Sequence, residues 1–371
     1  TPERRYAMLE TLRAFGADRL AEDGRSERVS ERHARHVVER LERAALGLLD
    51  PGRAAIDEID ASLPELHVAL GWLLSRSDLD LAGRLVGGFL DYGLLRLRPD
   101  VFGWSSRVIA TDPGDEGPHA PLMWVLASYA AWMAGDLVEA ERCSERALVI
   151  SQRRGATIHP EVLTTRGNMA MFAGDLDEAQ RRYRAAVVAA GDAPHRRLLT
   201  AATELLALGY AEHHDTDSRA RSVLAEVGDA RSPFAAYLWY CAGEAVLTTD
   251  PSLARVRFET SLSIARETSA SFVVGVAGAS LTSLDARTGD PQRAADDYKV
   301  LIDHWRRAGM CRGSGSASCR GCPTWAPPSR RERDDRRRRG RRAVHPERRR
   351  GTRGHRATAT RGRSNRTACD R

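Results

Sequence analysis

At 371 residues the chain is long enough for two ordinary domains, yet it holds no run of about 18 apolar residues, which argues against a membrane-spanning helix. Its net charge of +7 divides into two unlike parts: residues 311–371 carry 20 Arg against 5 acidic groups, whereas residues 1–310 carry 37 basic and 45 acidic groups. The basic character therefore belongs to the tail, and it implies no nucleic-acid partner for the rest.

Leu-, Ala- and Arg-rich sequence with little β-branched clustering points to an all-α chain. Residues 5–23 predict a helix, with Tyr6, Leu9, Leu12, Phe15 and Leu20 at three- to four-residue spacing. Asp23-Gly24 stops it, and Ser26 is placed to cap a second helix carrying Val29, His33, His36, Val37, Leu41 and Leu48. His33 and His36 read as a packing boundary rather than as ligands. Pro51-Gly52 breaks the chain again. Two further helices follow, about 54–75 and 79–97, joined by Arg76-Ser77-Asp78, with Pro64 either kinking the first or restarting it. Residues 99–118, rich in Pro and Gly, read as a partly ordered connection.

Beyond that point the chain repeats. It turns on an Asp five times, at Asp136, Asp175, Asp215, Asp250 and Asp290, at intervals of 39, 40, 35 and 40 residues. Each turn separates two amphipathic patterns, the mark of a solenoid of helical hairpins. In the second unit small residues recur where two helices must touch: Gly167 and Ala179 allow close approach, and Tyr183, followed by Ala186, fills the gap beyond. Ser128, Gly135, Ala140 and Ala147 repeat the pattern in the first unit, and Ala242, Asp250, Ala254 and Phe258 in the fourth. The last unit offers Gly289, Ala294 and Tyr298; the third is poorest, with Ala220 one position late. This small-residue, Gly-Asp, Ala, aromatic, Ala order resembles the tetratricopeptide class, although the period exceeds the usual ~34 residues. The expected layout is a helical linker over 1–50, irregular hairpins over 51–118, tetratricopeptide-like repeats over 119–310 and a disordered Arg-rich tail over 311–371.

At Met310 the helical pattern stops. The tail that follows has almost no Leu, Ile or Val and is expected to be disordered, because it cannot bury enough surface to offset its ordering entropy. An Arg-rich segment of this kind would hold nucleic acid non-specifically and in a salt-sensitive way. Cys319-Arg320-Gly321-Cys322, with Cys311, His345 and His355, lacks the second pair that common zinc modules need. The composition also suits translation out of frame in GC-rich coding sequence. If residues 313–319 use GC-rich codons, reading from third positions can give Leu-Gly-Leu-Gly-Leu-Leu, the start of another helix.

Catalytic signatures are missing from the sequence. Lys299 is the only lysine, so no phosphate-binding loop with its Lys can form, and no G-x-S-x-G elbow or H-E-x-x-H pair occurs. His213-His214-Asp215 reads as a solvated turn, and Trp124, Trp132 and Trp239 read first as packing residues. No cofactor or metal is called for. Cys143 and Cys241 fall in helical patterns and read as small buried hydrophobes of a reducing, cytoplasmic compartment. If first helices line a concave face, Tyr129, Trp132, Glu161, Thr164, Asn168, Glu204 and Trp239 point into it. Such an aromatic and acidic groove suits a basic or extended peptide, or an internal segment of the same protein.

The first hundred residues carry a resemblance. The stretch Arg5-Tyr6-Ala7-Met8-Leu9-Glu10-Thr11-Leu12-Arg13-Ala14-Phe15-Gly16-Ala17-Asp18-Arg19-Leu20, then Arg32-His33-Ala34, resembles the segment after the nucleotide-binding and winged-helix parts of actinobacterial LuxR-type and related signal-transduction ATPases. Glu65-Leu66-His67-Val68-Ala69-Leu70-Gly71-Trp72 and Asp78-Leu79-Asp80-Leu81-Ala82 resemble the family's next landmark, with Glu65 and His67 where the family has Asn and Arg. The resemblance spans about residues 4–310. It implies a fragment of a transcriptional regulator: a sensor or autoinhibitory arm that hears a protein or ligand and restrains an ATPase module of the same parent, with DNA contacted only by domains missing here. The alternatives are a free-standing adaptor that binds a peptide, and nucleic-acid binding by the tail.

Overall fold

Every regular element among the described residues is a helix. The computed structural model describes residues 8–155, 157–289 and 291–308, all within the unit 1–327 that chain contacts separate from 328–371. Among the described residues there are sixteen α-helices, one 3-10 turn and no strand. The Asp290 turn, the tail with its cysteines, and Arg5-Tyr6-Ala7 lie outside the described residues.

Helix α1 (Glu10–Glu22) packs lightly on α2 (Ser26–Leu46), so the apolar spacing expected to bury it leaves Leu12 and Phe15 more than half exposed. In α2 the buried stripe is Ala34, Val37, Val38, Leu41 and Ala44. His33 and His36 fall outside that stripe and are exposed, not at a packing boundary. Ser26 is the first helical residue and does not cap; Arg25 holds the cap position. After the 3-10 turn (Gly47–Leu49), α3 (Ala54–Ser75) runs unbroken through Pro64.

The helix expected over 79–97 is two helices, α4 (Leu79–Gly87) and α5 (Leu90–Arg96). Gly87 and Gly88 interrupt it, being poor helix formers. Both also sit under close neighbours: a Cβ would stand 2.8 Å from Leu122 at the first and 3.1 Å from Leu41 at the second. Residues 99–118 are better ordered than expected. They open with α6 (Pro99–Thr111), and the loop beyond is tied down by side chains. Asp112 accepts from the backbone N–H of Glu116 and Gly117, both at 2.9 Å, and the buried Asp115 accepts from Trp124 Nε1 and Arg146 Nε. Arg154 donates to the Asp115, Gly117 and Pro118 carbonyls. Pro and Gly here mark turns whose polar groups are satisfied internally, which composition alone does not reveal.

Five hairpins follow: α7 (Ala120–Met133) with α8 (Leu137–Arg154), α9 (Pro160–Ala173) with α10 (Leu176–Ala189), α11 (Pro194–Tyr210) with α12 (Thr216–Val227), α13 (Pro233–Val246) with α14 (Pro251–Glu267), and α15 (Ser271–Thr288) with α16 (Pro291–Arg307). The repeated Asp is an N-cap. Asp136, Asp175 and Asp250 accept from the backbone N–H three residues on, at 3.0, 3.0 and 2.9 Å, satisfying a donor that the first helical turn leaves orphaned. Gly135 and Gly174 before the first two adopt φ of +83°, which L side chains rarely take. The same turn joins α3 to α4, with Ser77 at positive φ and Asp78 capping Leu81. Asp215 holds the cap position without making the bond.

Glycines on first helices seat aromatic rings from second helices. A Cβ on Gly167 would lie 2.5 Å from the Tyr183 ring, and one on Gly243 2.5 Å from Phe258. In the last hairpin the expected ring, Tyr298, is 45% exposed, and Trp305 instead packs on Gly275. The reason is local: eight or seven residues before the turn Asp, where the second unit has Gly167 and the fourth Gly243, the last has Thr282 and Ser283.

From α5 onward each helix packs on its successor, and the first helices also pack in a row, α7 on α9, α9 on α11, α11 on α13 and α13 on α15. The chain then closes on itself. Helix α5 lies against α15, with Arg96 donating to the Ser269 carbonyl at 3.1 Å, and the 3-10 turn lies against α13, where Gly52 N–H donates to the Arg231 carbonyl at 3.1 Å.

Candidate functional site

The row of first helices lines a partly open cavity of about 80 Å³, walled by α5, α7, α9, α11, α13 and α15 and by none of the second helices. On α11 the wall is Arg196, Leu199, Thr200, Thr203 and Leu206, a helical stripe at three- and four-residue steps. Aromatic side chains dominate the far side. Trp132 and Phe172 are parallel with centroids 6.1 Å apart, Phe272 meets Trp132 at 75° and 6.2 Å, and Tyr237 meets Phe272 at 37° and 6.3 Å. One pair is stacked and the other contacts are edge-on and tilted, so the four rings close up into a single aromatic box.

A charged cluster forms the opposite wall. Arg196 grips Asp91 through both terminal nitrogens, at 3.0 and 2.7 Å, the two-pronged geometry that best suits a guanidinium. Its remaining reach to Glu161 is long, 3.4 Å. The other oxygen of Glu161 accepts from the Tyr129 hydroxyl at 2.5 Å. Burial raises the Glu161 pKa above the ordinary carboxylate value, offset only in part by Arg196 and by Tyr129. Burial also raises Tyr129, helped by the Glu161 charge. For Arg196, burial pulls downward but Asp91 and Glu161 outweigh it, so its charge is secure. His159, which opens α9, is pushed down to about 4 by burial and by Arg196, and it stays neutral with Nδ1 accepting from the Glu161 N–H.

The hydroxyls on the wall are occupied. Thr164, Thr200 and Thr203 donate back to the Pro160, Arg196 and Leu199 carbonyls at 2.8–3.1 Å, so none is held by a base in the way a nucleophile would be. Asn168 accepts from Tyr183 through Oδ1 at 2.8 Å, which leaves its amide N–H groups for the cavity. The arrangement can bind and orient a ligand.

Of the seven side chains expected on a concave face, Tyr129, Trp132, Glu161, Thr164 and Asn168 line this cavity together. Glu204 and Trp239 do not. Glu204 lies on the other side of α11, 2% exposed, accepting from Arg184 and Arg219 at 3.0 Å each beside a separate hollow that includes Arg197 and Leu205. Trp239 is two positions past Tyr237, about 200° around α13. Both share Thr164's offset of eleven residues from the turn Asp, but the offset does not carry over. Helix α9 ends two residues before its Asp, whereas α11 ends five before and α13 four before, which rotates the inward stripe. Asp91, Arg196, Tyr237 and Phe272 escaped the sequence reading. Nothing local connects Asp91 with Arg196, 105 residues later; the aromatic run at Phe234, Tyr237 and Tyr240 was the available signal for α13.

The donor atoms of His213, His214 and Asp215 lie within 4.8 Å of one another, close enough for a metal. Two of the three are exposed and the His rings stack on each other in a turn, so the geometry is also that of a solvated corner. Cys143 and Cys241 are buried free thiols, and burial, with Glu139 beside it, pushes Cys143 up to about 12. No helix among the described residues is long and apolar enough to cross a membrane. No protein-family model matches the chain, and no curated protein matches it.

Proposed function

We propose that this chain is a non-catalytic regulatory arm, a tetratricopeptide-like array that binds a ligand on its inner face and passes the bound state to a partner such as an ATPase module. The observation that carries the reading is the convergence of six helices, from α5 to α15, on one aromatic-walled cavity with a charged cluster. A site assembled from so many elements reports its occupancy to all of them, because a ligand that favours one arrangement shifts the whole row. The resemblance to LuxR-type signal-transduction ATPases and the absence of catalytic signatures in the sequence support the same reading, with a cytoplasmic setting.

The peptide-adaptor alternative has an observation of its own. Helix α5, a segment of this chain, already lies along the inner face, as a bound peptide would. With α5 in place, about 80 Å³ is too little for an extended peptide, which favours a small ligand.

The test is equilibrium dialysis of the purified full chain against a cell metabolite extract, beside Thr164→Leu, which adds bulk to the wall. A compound concentrated by the wild type and not by the variant supports the reading. Concentration of nothing, or equal concentration by both, sinks it.

A further inference from the structure

The cavity's walls define a chemical class of ligand, and this step rests on the ligand-binding reading above. Three features converge. The first is charge. Asp91 and Arg196 neutralise each other through a two-pronged contact, so Glu161 is the carboxylate left under-compensated, with a hydroxyl on one oxygen and only the 3.4 Å reach of Arg196 on the other. No second basic side chain lines the cavity. The second is the box of Trp132, Phe172, Tyr237 and Phe272, whose ring electrons attract a cation shed of its water. The third is size. About 80 Å³ of space, against the ~150 Å³ of a cavity that holds benzene, admits a group of about three or four heavy atoms.

We propose that the cavity is a receptor for a small organic cation, whose substituted ammonium head of about four heavy atoms enters it. Its charge sits between Glu161 and the aromatic box, and its alkyl groups lie among the rings. A polar end meets the amide N–H groups of Asn168 and the Thr200 hydroxyl oxygen. An anion is disfavoured because the one Arg on the wall is already engaged by two carboxylates. A neutral apolar ligand would leave the excess negative charge of the Asp91, Arg196 and Glu161 cluster buried without a further counter-charge. The raised pKa of Glu161 fits a group whose counter-charge has yet to arrive.

The probe pair is choline and 3,3-dimethylbutan-1-ol, the same shape with carbon in place of the charged nitrogen. Calorimetric titration of the full chain at pH 8, with intrinsic tryptophan fluorescence as a second readout, is expected to show one choline site. The alcohol should bind at least tenfold more weakly. Glu161→Gln should abolish the preference for the cation, and Thr164→Leu should abolish binding of both. If the alcohol binds as tightly as choline, the cation class is wrong while a ligand cavity survives. If choline binds but Thr164→Leu leaves it unchanged, the site is elsewhere and the proposal fails. If neither probe binds, the proposal fails too, and the dialysis experiment decides the wider reading separately. Because the comparison of probes is made on the unaltered chain, a variant that folds poorly does not shelter the proposal.

Discussion

The first and second helices of the hairpins obey different sequence rules. Helix α10 buries only Ala179, Tyr183 and Ala186 and shows its other faces to solvent, the stripe of an ordinary surface helix. Helix α13 buries nearly its whole circumference, Pro233 to Val246 with two gaps at Tyr237 and Trp239. A helix packed on both neighbours and on its hairpin partner is apolar all round, so periodicity cannot say which side faces the cavity. The repeat is therefore written most legibly in the turns and the second helices, while the functional face belongs to the first helices, where the pattern is least informative.

The largest test of this difference compares two tyrosines at the same offset from their turns. Tyr183 is fully buried against Gly167, and Tyr183→Ala should cost about 3–5 kcal/mol by denaturant titration. Tyr298→Ala, at the position the repeat marks as equivalent, should change stability by less than about 0.5 kcal/mol because the ring is half-exposed. A similar loss at both sites would mean the last hairpin packs like the second.

Next in size is the pH response of a carboxyl buried among first helices. Glu244 on α13 accepts from Ser280 on α15 and from Tyr210 on α11, with no cation beside it, and burial lifts its pKa from 4.5 to about 7 despite those two bonds. A carboxyl with a raised folded pKa holds its proton more tightly in the fold than in the unfolded chain. Its contribution is full below pH 4.5 and is lost as pH rises through about 7. Glu244→Gln should therefore gain on the order of 3 kcal/mol relative to the wild type on going from pH 4 to pH 8. A pH-independent difference between the two proteins would show that Glu244 is not neutral in the fold.

The smallest effect separates the turns from one another. Asp175→Ala removes a cap bond and should cost about 1 kcal/mol, whereas Asp215→Ala, where no such bond is made, should cost well under half of that. Equal costs would make the Asp a dipole partner of its helix and not a cap.

Much of the architecture was readable because it rests on local chemistry. Asp at the cap, Gly at positive φ and small residues opposite rings act within about 20 residues, and each left its mark at Asp136, Asp175, Gly167 and Tyr183. The five cavity residues placed by sequence all lie on α7 and α9, which end three and two residues before their turn Asp. Glu204 and Trp239 were misplaced where the turn lengthened, because three extra residues rotate a helix by about 300° and two by about 200°. Local chemistry thus settles where this chain turns and which residues cap and seat its hairpins. Which faces meet in the interior is settled by the closure of α5 onto α15 and by Arg196 reaching Asp91 across 105 residues. Contacts of that range depend on the summed rotations of every intervening hairpin, and no short window of sequence contains them.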